Sequence, residues 1–102
     1  MTALFIVRAE VRTEDRDAFD HWYETEHLPE AMEAFKTSLA RRGWSDVDEG
    51  VHLAIYEFAD MAGLKAVTET DIIKGFIAEF DRVWGDRVVR SRDIVEIKQG
   101  LS

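Results

Sequence analysis

The chain has 102 residues, of which 46% are hydrophobic, and we expect residues 1–102 to form one domain around one core. Its 21 acidic and 13 basic residues give a net charge of -8, which disfavours nucleic acid and anionic membranes as partners, because both attract basic surfaces. Cysteine is absent, which excludes disulfides and zinc–thiolate sites and fits a cytoplasmic protein.

The first predicted element is a strand over Ala3–Val11. It is dense in β-branched and aromatic residues and opens on a nearly continuous apolar run, a pattern typical of a strand buried on both faces. The run is too short for the core of a signal peptide or for a membrane span, and no basic region precedes it. We therefore expect a cytoplasmic location and no membrane contact.

A helix is predicted to follow the first strand, with Thr13 as its N-cap. Aromatic residues then recur at helical spacing and form one face of the helix: Phe19, Trp22 and Tyr23. Pro29 is predicted to end this helix, because the residue before a proline is disfavoured in the helical conformation. The same proline suits the start of a second short helix that reaches Phe35.

Strands are predicted next over Thr37–Asp46 and Val51–Phe58, joined by an acidic, glycine-containing linker with hairpin chemistry. Asp60 is predicted to cap a short helix. A more strongly amphipathic helix begins near Thr70, and Gly85 occupies its C-terminal cap. Its buried face is predicted to be core rather than cavity wall: Phe76, Ile77, Phe80 and most of Trp84.

A last strand is predicted over Val88–Lys98, so the order is strand, helix, strand, strand, helix, strand. This order predicts an α+β fold, a ferredoxin-like β-α-β-β-α-β unit with a four-stranded antiparallel sheet and helices on one face. Alternate side chains of Leu4–Val7 must point away from the helices. We expect the sheet of a homodimer partner to cover them; the alternative is an unusually apolar face left in water.

Two histidines in the first helical region differ in their expected roles. His21 and His27 lie about 240° apart around a helix, so they cannot share a metal, and no metal site is predicted. His27 lies at the predicted helix end, on the row of Phe19 and Tyr23, where the helix dipole favours a protonated imidazole. It is either a general acid/base or hydrogen-bond donor to a ligand, or a cap for the last helix carbonyls. His21 is expected on the solvent face.

Other candidates for a binding site are aromatic or cationic. Trp22 and Trp84, on the inner faces of two helices, either wall a cleft or belong to the core. Arg41 and Arg42 are neighbours on a strand and point to opposite faces, so one of them is placed to hold a carboxylate or enolate. The alternative for both is a surface ion pair. No nucleotide-binding glycine loop is present, so the chemistry needs no cofactor or uses one held by pocket shape.

The stretch Phe19–Pro29 (FDHWYETEHLP) and the strand Leu53–Phe58 (LAIYEF) resemble the dimeric α/β-barrel superfamily, and within it EthD-like and related uncharacterised proteins. The resemblance implies a homodimer whose two sheets form a barrel, with a pocket between sheet and helices and His27 near its mouth. Relatives include cofactor-independent quinol monooxygenases, muconolactone and methylmuconolactone isomerases and haem-degrading enzymes. The asparagine–tryptophan pairing of the haem-degrading type is absent.

Two functions are compatible with these residues. The first is a cofactor-independent enzyme acting on a small hydrophobic metabolite, aromatic or lactone-like, as an isomerase, lyase or monooxygenase, with His27 as the catalytic acid/base. Substrate contacts are predicted for Trp22, Tyr23, Arg41, Tyr56 and Trp84. The second is a non-enzymatic module that binds a small ligand or only assembles. Polar groups converging on His27 in an enclosed cavity favour the first function, and a dry, packed interface favours the second.

Overall fold

The fold was analysed in a computed structural model that describes residues 1–102 and contains one four-stranded antiparallel sheet, in the order β2-β3-β1-β4. The strands are β1 (Ala3–Val11), β2 (Leu39–Trp44), β3 (Val51–Phe58) and β4 (Val88–Glu96). The helices are α1 (Arg16–Trp22), α2 (Leu28–Phe35), α3 (Met61–Thr68) and α4 (Asp71–Val83). The predicted α+β ferredoxin-like order of elements is confirmed.

The central strand β1 sets the two faces of the sheet. It pairs with β3, where Phe5 lies opposite Tyr56, and with β4, where Ala9 lies opposite Arg90. Residues opposite each other in an antiparallel pair point to the same face, so these side chains all face the helices. The hydrophobic core fills the space between this face and the helices.

The other face of the sheet carries no helix. Its central positions are apolar and partly exposed: Leu4, Ile6, Leu53 and Ile55. Charged residues, among them Arg8 and Glu57, surround this apolar strip. None of the helices in the fold combines the length and the apolar composition needed to cross a membrane.

The chain does not leave the helical conformation before Pro29, so that prediction is wrong. Leu28 has φ -66° and ψ -46°, and a π-helical turn over Tyr23–His27 leads directly from α1 into α2. The N–H of Leu28 donates to the carbonyl of Tyr23, five residues earlier. Pro29 stands in the first turn of α2, where a residue without an N–H is tolerated. The wider turn therefore allows the helical conformation to continue across Pro29.

Three helix caps were predicted, at Thr13, Asp60 and Gly85, and the structure confirms the last two. Thr13 is no N-cap, because it lies inside a 3₁₀ turn over Thr13–Asp15 that precedes α1 and has no side-chain cap. Asp60 caps α3 by accepting a hydrogen bond from an N–H in the first helical turn, at 2.8 Å. Thr70 caps α4 in the same way, and Gly85 follows that helix with φ +56°, as predicted.

Candidate functional site

A cavity of about 200 Å³ lies between the sheet and α4 and extends to Ser91 and Arg92, exposed residues of the edge strand β4. Its apolar walls come from β1, α2 and α4: Phe5, Val7, Phe35, Ile73, Phe76, Ile77 and Phe80. An apolar concavity with a few polar groups is the usual form of a site for a small hydrophobic ligand. The α4 residues predicted to be core rather than cavity wall therefore form both.

The polar groups of the cavity include His27, which is only 6% exposed. Its ring lies against Phe76 and Phe80 of α4, with centroid distances of 5.7 and 5.5 Å. The Nδ1 atom is buried and has no hydrogen-bond partner. This leaves Nε2 as the nitrogen that can meet a ligand in the cavity.

Burial determines the charge of His27. Burial is the main cause that lowers the pKa of the imidazole to about 4; Glu79 opposes this shift, and the nearby cation of Arg90 contributes to it. The ring is therefore neutral at pH 7 and able to accept a proton. The predicted preference for a protonated imidazole is wrong, because the helix continues past His27 and the ring lies in an apolar environment rather than at an exposed C-terminus.

Two phenols share the cavity with this histidine. The ring of Tyr23 lies 4.8 Å from that of His27, and Tyr56 reaches the cavity from β3. Burial raises the pKa of Tyr23 well above its ordinary value, and the Tyr56 hydroxyl adds to this rise. Burial likewise raises the pKa of Tyr56 to about 12. Both groups stay protonated at neutral pH and can donate hydrogen bonds to an oxygen of a ligand.

Two arginines of β4 line the cavity, Arg90 and the exposed Arg92, neither of them predicted from the sequence, and Arg90 is the one held in place by its neighbours. Its guanidinium carbon lies 4.0 Å from the centre of the Phe80 ring, and the group forms an ion pair with Asp81. Strand alternation was the available signal, because Val88 is buried and Arg90 lies two residues further on the same face. The arginine is thus fixed by an aromatic ring and a carboxylate beside the cavity.

The structure does not bring Arg41 to the cavity. Arg41 is exposed on the helix-free face of the sheet, opposite Ile55 of β3. Arg42 faces the helices instead and donates a hydrogen bond to Asp20 at 2.8 Å, but it lines no part of the cavity either. Strand pairing decides which of the two neighbours faces inward, and the sequence of β2 alone does not.

Neither predicted tryptophan lines the cavity. Trp22 lies behind His27, with ring centroids 4.4 Å apart and planes 22° from parallel. Trp84 is packed in the core, 5.3 Å from the ring of Phe19. Of the six predicted site residues, His27, Tyr23 and Tyr56 meet in the cavity, as the lining shows.

A second histidine, His52 of β3, is fully buried beside this group and was not singled out from the sequence. Its Nε2 lies 3.3 Å from Arg42, a permanent donor, so Nε2 accepts and the ring proton is on Nδ1, which has no partner. Burial lowers the pKa of His52 to about 4, and Arg42 adds to the effect. Hydrogen bonds from Arg42 and Trp44 lower the pKa of Asp20. His52 is therefore neutral, and the side chains of Asp20, Arg42 and Trp44 form a hydrogen-bonded rim beside it.

No three histidine, aspartate or glutamate side chains come together as a group that could hold a metal ion. The acidic residues of the fold lie mostly at the surface, each within reach of an arginine or lysine or of solvent. The chemistry that the cavity itself offers comes mainly from an imidazole, two phenols and two guanidinium groups.

No family model matches the sequence, and no curated protein does so either. Solved structures match it along almost its full length. An EthD family protein from Bacillus halodurans is 20% identical, with a TM-score of 0.74 over 95% of this chain and 99% of that chain. A dimeric ferredoxin-like protein from an uncultured marine organism is 11% identical, with a TM-score of 0.72 over 98% and 97%.

The cofactor-independent oxygenase SnoaB from Streptomyces nogalater, solved as a mutant, is 10% identical, with a TM-score of 0.67 over 98% of this chain and 96% of that chain. At these identities the likeness is one of fold. The predicted resemblance to the dimeric α/β-barrel superfamily and its EthD-like members is confirmed at that level, and the chain has the ferredoxin-like α+β fold of these proteins.

Proposed function

We propose that the protein is an enzyme that binds a small hydrophobic metabolite, aromatic or lactone-like, in this cavity and removes a proton from it with His27, without a bound cofactor. The observation that carries the proposal is a buried, neutral imidazole with no hydrogen-bond partner inside the protein, at the wall of an apolar cavity. A structural histidine in such a place normally has its polar atoms paired. In His27 Nδ1 is enclosed, so Nε2 is the nitrogen available to accept a proton from a ligand, whereas Nε2 of His52 is already paired with Arg42.

The phenols supply the second half of the chemistry. Loss of a proton from a carbon beside a carbonyl leaves an enolate, whose negative charge lies largely on oxygen. The hydroxyls of Tyr23 and Tyr56 are protonated and can donate to that oxygen, and the charge of Arg90 lies nearby. Donors that are in place before the reaction stabilise such an oxyanion most effectively. Isomerisation, elimination and reaction with molecular oxygen all start from an enolate or phenolate of this kind.

The shared fold supports this choice of chemistry, because one protein with the same fold is described as a cofactor-independent oxygenase. The test is exchange of substrate protons with solvent. The purified protein is incubated in D2O with hydroxylated aromatics, quinols and lactones, and deuterium uptake is followed by NMR with and without air. Exchange or turnover that needs His27 is the expected result. Binding of these compounds without exchange would assign the protein to the alternative class of ligand-binding modules.

We further propose that two copies of the chain pair through the helix-free face of the sheet. The strip formed by Leu4, Ile6, Leu53 and Ile55 is apolar and lies at the centre of this face. Monomeric proteins rarely leave a contiguous apolar patch of this kind in water. One protein of the same fold is described as dimeric, which supports a second copy as the cover.

A further inference from the structure

The stacking of Trp22 on His27 depends on an unusual turn of the helix. The two residues are five apart, and an α-helix places such residues about 140° apart around its axis. Between them lies the π turn Tyr23–His27, whose hydrogen bonds join residues i and i+5 and so bring these positions towards one face. The rings then stack with centroids 4.4 Å apart.

Local features of the chain favour this turn. The hydroxyl of Thr25 donates to the carbonyl of His21 at 2.8 Å, which gives that carbonyl a partner within the turn. Pro29 has no N–H and so cannot donate the hydrogen bond that a continuous α-helix needs at that position. The local sequence therefore favours the π turn. Such turns inside helices often occur at functional sites.

No hydrogen bond fixes the orientation of the His27 ring. In most functional histidines, a hydrogen bond at the second ring nitrogen sets the tautomer and the orientation. Here Nδ1 has no partner. The ring is held by packing instead: Trp22 covers one face, and the rings of Tyr23, Phe76 and Phe80 stand nearly perpendicular to the imidazole at 72°, 73° and 85°.

We propose that Trp22 is a positioning residue for His27: its indole covers one face of the imidazole and fixes the plane in which the ring borders the cavity. The inference deepens the proposed function, since it rests on the role given there to His27. Four other titratable or charged groups lie near the imidazole: Tyr23, His52, Glu79 and Arg90. They act on it only from a distance or through ring contact, and none of them forms a hydrogen bond with it.

The test compares two buried tryptophans of the same aromatic cluster. Trp84 contacts Trp22 and Phe19 but has no ring contact with His27, so Trp84→Leu is a matched control for Trp22→Leu. In each protein, the pKa of His27 is measured by NMR titration, and ring contacts to Phe76 and Phe80 are measured by nuclear Overhauser effects. Neither measurement needs a substrate, so failure of this inference and failure of the proposed activity are distinguishable.

Trp22→Leu is expected to raise the pKa of His27 by about one pH unit or more towards its ordinary value, because water reaches the uncovered ring face. Its ring contacts with α4 should weaken as well. Trp84→Leu should leave both quantities within about 0.3 pH units of the parent, and Trp22→Phe, which keeps an aromatic ring, should restore them. Trp22→Met replaces Trp22→Leu if the latter does not fold. Equal values in the Trp22 and Trp84 variants would overturn the inference.

Discussion

The ring of His52 lies 4.5 Å from the ring of Tyr23, and this contact joins the cavity to the hydrogen-bonded rim of Asp20 and Arg42. His52 is fully buried, as is Tyr23 apart from 1% of its surface. The core therefore contains two neutral histidines, His52 and His27, on either side of one phenol. Such groups must gain protons when the chain unfolds in mild acid, which makes stability depend on pH.

The first prediction concerns that dependence. The pKa values of His27 and His52 are about 4 in the folded protein, against an ordinary value near 6.5. Between these values the unfolded chain binds more protons than the folded one, so stability falls as the pH drops through the window. The expected loss between pH 7 and pH 5 is about 2 kcal/mol for each histidine, measured by urea unfolding.

Substitutions distinguish the contribution of the two histidines to this pH dependence from that of the carboxylates. His27→Phe and His52→Phe cannot titrate, so each should reduce the difference in unfolding free energy between pH 7 and pH 5 by about 2 kcal/mol. Ile72 is exposed and does not titrate, so Ile72→Ala should leave the difference unchanged. A pH dependence that is the same in all three variants would mean that the buried rings are protonated in the folded state.

A second prediction concerns α4, whose inner face forms both core and cavity wall. Phe80 is 2% exposed and contacts the rings of Phe19, Trp22 and His27. Phe80→Ala should lower the free energy of unfolding by about 3–5 kcal/mol, because a large buried side chain is removed. Ile72 on the same helix is 39% exposed, and Ile72→Ala is the control, with an expected loss below about 1 kcal/mol. A loss below about 1 kcal/mol for Phe80→Ala would contradict the packing of the helix.

The sequence was most informative where pattern and local chemistry agree. The bounds of β3 (Val51–Phe58) and the Asp60 cap of α3 were predicted correctly, because alternation and capping act over a few residues. The helix end predicted at Pro29 was wrong, since the usual rule assumes an α-helix and the chain uses a π turn there.

Predicting the site required pairing information that no single strand contains. The sequence of β2 does not show whether Arg41 or Arg42 faces the helices. The pairing of Ala40 with Tyr56 decides it, because it places Arg42 on the helix side of the sheet. His52 was open to prediction, because it stands four residues before Tyr56 on the same face of β3. The cavity itself arises from the fit of α4 over β1 and β4, which depends on tertiary packing.

The third prediction concerns assembly. At micromolar concentration the protein should sediment as a dimer, at twice its monomer mass of 11.7 kDa, because a standard interface of about 1,200–2,000 Å² persists at that dilution. Ile55→Asp places a charge in the middle of the apolar strip and should give a monomer. Val47→Asp adds the same charge in the hairpin, where Val47 is 90% exposed, and should stay dimeric. A clean monomer for the parent protein would contradict the proposed interface.

The last prediction concerns His27 in catalysis. His27→Gln keeps a polar side chain of similar size but cannot act as a general base, so the rate of proton exchange or turnover should fall by about 10²- to 10⁴-fold. His21 is exposed and lies outside the cavity, and His21→Gln should keep the parent rate. Affinity for the same compound is measured in parallel. Unchanged affinity with a lost rate assigns His27 to the chemical step, whereas lost affinity with an unchanged rate at saturation would limit His27 to binding. Similar small effects of the two substitutions would remove His27 from the mechanism and leave Tyr23 and Tyr56 as the groups to test next.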